Sequence, residues 1–321
     1  MSFDGSLKLG AKKFHKKRQF AYNLTQIYRK KFFKSGKIKK KLLEKRNCPI
    51  CKTKNNAILF LKGGGTHKKC KKCEMIYLDP VFKDKELEKF YKFNIDNQSK
   101  VSLNEKKFSL RMFESGIKNI IKRKKIKTLL DIGCSNGLSL DVAKKNKIKT
   151  FGMELNEKEA VIAEKKHKIY RSSIFKFKDK IKFDAITMWD VIEHIKNTNK
   201  LLKKISGMLN KNGLFFFQTP NANSLANSIL HDKSNCFDGI EHVNLFSLKS
   251  INLIAKKNKF KIIDVRTVIS EISIIQNYLN FSDPYLGDSK SKKLFNILDE
   301  TKLHNLLLGY KYQIIFKKIN N

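Results

Sequence analysis

The sequence predicts an α/β protein: a parallel sheet with helices on both faces, preceded by a small metal ribbon. Three observations predict it. Short apolar runs alternate with helical patterns from residue 126 to residue 267, the signature of a sheet wrapped by helices. The first run stops at a glycine turn, Asp131-Ile132-Gly133-Cys134-Ser135-Asn136-Gly137, and a helical pattern follows at once. Upstream, Cys48-Pro49-Ile50-Cys51 and Cys70-Lys71-Lys72-Cys73 stand 18 residues apart.

In chain order, the region 1–45 reads as a basic arm. Residues 5 to 43 hold no acid, and lysines and arginines alternate with Phe14, Phe20, Tyr22, Ile27, Tyr28, Phe32 and Phe33. Such an arm is either an amphipathic grip for nucleic acid or an anionic membrane surface, or a solvated tail. The region 46–80 is the ribbon. Each Cys-x-x-Cys knuckle turns two sulfurs toward one metal, and Gly63-Gly64-Gly65 marks the hairpin between them. Four protein thiolates close a tetrahedron, so Zn(2+) held by Cys48, Cys51, Cys70 and Cys73 would be structural. Free thiols or a redox pair would not need four cysteines.

Region 81–124 reads as a helical linker or lid, with Leu110, Phe113, Ile117, Ile120 and Ile121 at helical spacing and Tyr91 and Phe93 as lid or core aromatics. The sheet domain spans 125–270. Its strands are expected at Ile126 to Ile132, Thr150 to Glu154, His167 to Arg171, Phe183 to Trp189, Leu214 to Gln218 and Phe260 to Val265. Leu201, Leu202, Ile205, Met208 and Leu209 predict a helix, and Ser247 can cap another. The region 271–321 reads as a helical extension, on Leu294, Ile297, Leu298, Leu303, Leu306 and Leu307.

Composition bounds the partners. The 321 residues carry a net charge of +40, from 62 lysines and only seven arginines. With many Asn, Ile and Phe, this skew fits an AT-rich coding bias; its functional reading is attraction to polyanions. Few arginines argue against bidentate phosphate recognition. No apolar run reaches the roughly 20 residues of a membrane span, so any membrane contact would be peripheral. No leader pattern appears, so a reducing cytoplasm is expected and the six cysteines are not read as disulfides.

The glycine turn carries the chemistry. Gly133 and Gly137 let the backbone turn sharply and a ligand approach closely. Asp131, at the strand end, can orient the turn and meet an ammonium. Glu154, 17 residues after Gly137, suits the hydroxyls of a ribose. A dinucleotide site would show bare amides to a pyrophosphate; an acid leading the loop repels phosphate and suits a cation. A plain turn in a non-binding sheet is the bland alternative.

This Asp-x-Gly-x-x-x-Gly run resembles the first motif of class I S-adenosylmethionine (SAM)-dependent methyltransferases, with Ser135 where the family usually has glycine. The block Trp189-Asp190-Val191-Ile192-Glu193-His194, then Gln218-Thr219-Pro220-Asn221, resembles a branch that includes the ubiquinone-biosynthesis O-methyltransferases and enzymes of surface-polysaccharide clusters. The preceding ribbon is similar to that of deoxysugar C-methyltransferases; Glu241 and His242 match their Glu-His, but Gly239 stands where they have a catalytic tyrosine. The resemblance implies a Rossmann-like SAM-methyltransferase sheet, with Asp131, Gly133, Cys134, Ser135, Gly137, Glu154, Leu155, Trp189 and Asp190 around the cofactor. It implies His242 as base, with His194 as the other candidate and Glu241 beside it. It implies a small-molecule acceptor, a sugar, sugar nucleotide or other glycan precursor, methylated on oxygen or nitrogen. The alternatives are an RNA methyltransferase that grips nucleic acid through ribbon and arm, and a non-catalytic SAM-binding or zinc scaffold. The sequence does not fix the oligomeric state.

Overall fold

A computed structural model describes residues 29–34, 37–90, 103–280 and 299–319. The described chain forms two compact units that interleave in sequence. One draws on the segments 1–100, 220–247 and 266–312, the other on 101–219, 248–265 and 313–321. The expected boundaries at 45, 80, 124 and 270 ran sequentially along the chain, whereas each unit is assembled from three separate segments.

The first unit is built on an antiparallel sheet of β1 (Asn56–Lys62), β2 (Gly65–Cys70) and β3 (Ile76–Leu78), extended by the short strand Asn244–Leu245 pairing with β3. The hairpin turns at Gly63 and Gly64, both at positive φ. Part of the expected arm belongs to this unit. Phe32 is buried against Phe82 and Phe90 at ring distances of 5.4 and 5.9 Å, and Leu43–Glu44 pairs with Val81–Phe82. The rest of the arm up to residue 28, Tyr91, Phe93, Leu294, Ile297 and Leu298 lie outside the described residues.

The second unit holds a seven-stranded sheet. Its members are β4 (Thr128–Ile132), β5 (Lys149–Met153), β6 (Lys168–Tyr170), β7 (Phe183–Trp189), β8 (Leu209–Pro220), β9 (Phe260–Val268) and β10 (Lys311–Lys318). The order across the sheet is β6-β5-β4-β7-β8-β10-β9. Pairings from β6 to β8 are all parallel. The helices include α1 (Leu103–Arg123), α2 (Leu138–Lys145), α3 (Glu157–Glu164), α4 (Thr198–Met208) and α5 (Leu248–Lys257). Asn156 and Asn197 cap α3 and α4 with their side-chain oxygens.

Leu214 to Thr219 is wholly buried, because β8 lies inside the sheet and is covered on both faces. Phe217 meets Phe316 edge-on at 5.0 Å, and Phe316 lies 5.6 Å from Phe260. The helical extension expected over 271–321 is corrected here: Lys311–Lys318 is a strand inside the sheet. Its run Tyr312-Gln313-Ile314-Ile315-Phe316 is β-branched and aromatic and buried throughout. Leu303 does lie on a helix, Glu300–Asn305, while Leu306 and Leu307 follow its end. The fifth strand is longer than expected. It starts at Leu209 and absorbs Asn212-Gly213 through a register shift, with Asn212 at φ 56°. Among the described residues no helix is long and apolar enough to cross a membrane.

Candidate active site

The strand order reverses between β4 and β7: the chain runs outward to β5 and β6 on one side, then returns to β7 on the other. At such a switch point the crevice outside the carboxyl ends of the strands is the ligand site of open α/β sheets. The glycine turn leaves β4 at this place. Gly133, Ser135 and Gly137 sit at φ 75°, 49° and 84°, so three of five residues adopt the left-handed region. A Cβ on Gly133 would lie 2.7 Å from Val191 Cγ2, in the loop after β7. The turn is pinned from below, as Gly133 and Cys134 donate their N–H groups to the Met153 carbonyl at 2.8 and 3.1 Å. Cys134 is buried, and its thiol lies 3.7 Å from the Ser135 carbonyl.

Glu154 follows β5. Its carboxylate accepts from the N–H groups of Ser135 (2.8 Å), Leu155 (2.7 Å) and Asn156 (2.7 Å). Three of roughly four acceptor positions are thus engaged, leaving about one where the sequence suggested a grip on two hydroxyls. Ser135 Oγ also donates to Glu159 Oε2 at 2.7 Å. Leu155, beside Glu154, is 60% exposed.

Asp131 does not face outward. It is 1% exposed and accepts hydrogen bonds from Ser139 Oγ, on the first turn of α2, and from Thr187 Oγ1 (2.8 Å), its register partner on β7. Burial pushes its carboxyl up to about 7, against the two hydroxyl donors. The ammonium contact read from its position at the strand end is replaced here by a brace that ties β4, α2 and β7 together. In the unfolded chain this carboxyl ionises near pH 4. Between the two values the fold binds the extra proton, so the stabilisation is full below about pH 4 and is lost as pH rises through about 7. We expect the melting temperature to fall from pH 5.5 to pH 8. Asp131→Asn, which cannot ionise, should remove about 2 kcal/mol of that loss. Thermal melts of both proteins at the two pH values check this.

Trp189 and Asp190 close β7. Trp189 packs against Phe113 (4.8 Å) and Phe216 (4.5 Å), and its buried indole N–H has no acceptor among the described residues. A buried donor without a partner is costly, and one next to a ligand crevice fits a group that a bound molecule completes. Asp190 adopts φ 54° and accepts from Gln218 Nε2 at 2.9 Å, while Gln218 Oε1 accepts from Gln313 Nε2 at 2.8 Å. This buried relay through β8 and β10 fixes Asp190, and nothing in the local sequence signals it. Glu193, 0% exposed, accepts from Thr219 Oγ1 at 3.1 Å on the 3-10 turn Ile192–His194, which positions His194. Glu154 follows β5 with Glu159 on the first turn of α3, Asp190 and Glu193 follow β7, and Asp131 is buried near the end of β4, in a chain with only 29 acids.

Glu241 and His242 lie in the first unit. Asp238 accepts from the N–H groups of Ile240 (2.6 Å), Glu241 (2.7 Å) and His242 (3.0 Å) and so folds the Glu-His pair into a tight turn. His242 Nδ1 lies 2.9 Å from the Cys236 carbonyl and 3.4 Å from Asp238 Oδ2. Both are acceptors, so Nδ1 carries the proton and Nε2 is the nitrogen able to take one. Burial alone would raise the Asp238 carboxyl, but Arg29, the backbone N–H donors of the turn and His242 when protonated hold it down at about 2. Asp238 was not anticipated; an Asx turn four residues before the histidine was its one sequence signal.

In the same unit the four expected thiols converge. Cys48, Cys51, Cys70 and Cys73 have sulfurs within 4.8 Å of one another, with 3.5 Å between Cys48 and Cys73 and 3.4 Å between Cys51 and Cys70. A tetrahedron with metal–sulfur bonds of 2.3 Å has edges of about 3.8 Å, so the cage has the right size. The side-chain hydrogen bond with Cys73 lowers the Cys48 thiol below its ordinary value. Arg46 braces the cage base. It is half-buried, lies over the Tyr77 ring at 5.5 Å and donates to the Leu78 carbonyl at 2.7 Å; desolvation lowers its guanidinium to about 10.

The sequence pattern of the methyltransferase domain family matches residues 73–265, three-fifths of the chain. This chain belongs to the methyltransferase domain family. Its domain is that of a class I SAM-dependent methyltransferase. The methyltransferase is 32% identical over 123 residues to the ubiquinone biosynthesis O-methyltransferase of Pelagibacter ubique, covering 36% of this chain and 48% of that protein. It is 26% identical over 106 residues to the ubiquinone biosynthesis O-methyltransferase of Coxiella burnetii, covering 30% and 45%. The chain thus spans about half the length of the curated relatives it matches. Similar solved structures include a SAM-dependent methyltransferase from Archaeoglobus fulgidus (TM-score 0.45, 21% identity, 67% of this chain and 98% of that one). Another is the O-methyltransferase of a trans-AT PKS multienzyme of Brevibacillus brevis with S-adenosyl-L-homocysteine (TM-score 0.46, 18% identity, 70% and 78%).

Proposed function

We propose that this methyltransferase moves a methyl group from SAM to oxygen or nitrogen of a small molecule, with a sugar, sugar nucleotide or other glycan precursor as the acceptor class. The observation that carries the first half is the crowd of carboxylates at the switch point of a protein whose net charge is +40. Acids there select a sulfonium and an ammonium over a phosphate. The sugar reading rests on the four-cysteine ribbon ahead of the domain and on the Glu241-His242 pair. The names of the relatives support O-methylation as the chemistry.

Bound SAM supplies an electrophilic sulfonium methyl. In this reading Glu154 offers its remaining acceptor position to a ribose hydroxyl, Leu155 covers the adenine, and the turn from Gly133 to Gly137 brings backbone close to the ligand. Trp189 and Asp190 flank the methionine end, and Asp131 holds the turn in shape from within. In-line transfer asks mainly for positioning and exclusion of water. A hydroxyl acceptor also gains from a base near neutral pH. His242 is the base we favour, its Nε2 oriented by the Nδ1–H bond to Cys236; His194 is the second candidate. The four thiolates would hold one structural zinc, with every coordination position filled by protein.

Transfer of radiolabelled methyl from SAM to a panel of catechols, sugars and sugar nucleotides tests the proposal. We expect labelled product from a hydroxyl- or amine-bearing acceptor. His242→Ala should lower turnover by about 10²- to 10⁴-fold while SAM affinity stays the same. SAM binding without transfer to any acceptor would speak for a scaffold instead.

A further inference from the structure

The opposite edge of the sheet carries opposite electrostatics. Where β7, β8 and β9 begin, a cavity of about 620 Å³ opens among the ends of α4 and α5. Eleven residues line it, and six are lysines: Lys182, Lys203, Lys211, Lys257, Lys259 and Lys318. None is an acid. Lysine makes up about a fifth of the chain, so roughly two would be expected among eleven by composition alone. The six come from the strand ends, helix ends and connecting loops, and the fold brings them to one basin. A smaller adjoining cavity shares Lys182 and Lys203, adds Lys180 and Lys204, and carries one acid, Asp179.

We propose that this basin binds the oligophosphate group of a small molecule. Two of its ammonium groups are already fixed in place: Lys182 Nζ donates to the Gly207 carbonyl and Lys318 Nζ to the Leu209 carbonyl, each at 3.1 Å. Lys203 and Lys211 have no acceptor or carboxylate partner among the described residues. Burial and the neighbouring Lys182 charge hold Lys318 below the ordinary lysine range. Like charges kept this close are relieved by a shared anion. Two helix C-termini offer partial negative charge nearby, but together about one unit against six ammonium groups. Lysine binds phosphate as a point charge and asks for no bidentate geometry. The volume lies within the range of small-molecule pockets, about 300–1,000 Å³. An extended nucleic-acid track would instead need a groove with stacking aromatics, and the lining holds none.

Titration calorimetry of tripolyphosphate into the full chain tests this, in low and moderate salt. One saturable site is expected. Lys203→Met together with Lys318→Met should weaken it by about tenfold or more, while keeping the aliphatic stems. Lys144→Met with Lys145→Met, on the exposed face of α2, should change it by less than twofold. Lys203→Met alone, at an exposed position, guards against a folding defect and should still weaken binding. Equal weakening by both pairs would show diffuse charge only and overturn the proposal. So would the absence of a saturable site, or single-stranded RNA that binds and is not displaced by tripolyphosphate.

Discussion

Cys70→Ser is expected to collapse the first unit. Cys70 ends β2, sits 0% exposed, and places its sulfur 3.4 Å from that of Cys51. Several apolar clusters among the described residues also hold this unit. One centres on Phe32, Val81, Phe82 and Phe90, another on Ile76, Phe237 and Leu245. A structural zinc site contributes about 10–16 kcal/mol of folding free energy near neutral pH, the same order as the burial of such a cluster. Arg46 and Cys73, on either side of the cage, also anchor Val243 and Ser247 through carbonyl and hydroxyl bonds. Loss of a zinc ion held there would therefore loosen the segment that carries Glu241 and His242. Elemental analysis should give one zinc per wild-type chain and well below one for Cys70→Ser. Limited proteolysis should then cut between residues 46 and 80. A metal-free wild type that resists protease would refute the cage.

Gly133→Val is expected to weaken cofactor binding strongly while leaving the protein folded. The residue adopts φ 75°, where a β-branched side chain is strained by about 1–2 kcal/mol. Its Cβ would also stand 2.7 Å from Val191 Cγ2, inside van der Waals contact. Both effects push the turn toward the loop after β7 and narrow the crevice between them. We expect SAM affinity to fall by about 100-fold, or roughly 3 kcal/mol. Gly207→Ala makes a control on the same unit. Gly207 is helical, with open space where its Cβ would go, so alanine should stabilise by about 1 kcal/mol and leave affinity alone. Calorimetry and thermal melts separate the two outcomes.

Much of the sheet was legible because its signals are local. The turn after β4, the acid after β5 and the Cys-x-x-Cys pairs each follow from residues within a short window. What escaped depends on long-range pairing. β10 is a continuous buried run, and periodicity cannot separate such a strand from a buried helix. The Gln313–Gln218–Asp190 relay joins residues 95 and 28 positions apart. Asp131 looked like a ligand contact because strand-end acids often are, but Ser139 and Thr187, which turn it inward, are distant in sequence or unremarkable in type. Interleaved units have no compositional boundary to read.

The central claim is that a cation lies among the acids at the switch point. Titration of SAM into the wild-type chain and into Glu154→Gln tests it most directly, since Glu154, with three N–H donors on its carboxylate, keeps about one acceptor position for a ligand. We predict one-to-one binding by the wild type and at least about tenfold weaker binding by the variant, the loss of one charged hydrogen bond. Equal binding by both, or preference of the crevice for a nucleoside triphosphate over SAM, would contradict the account.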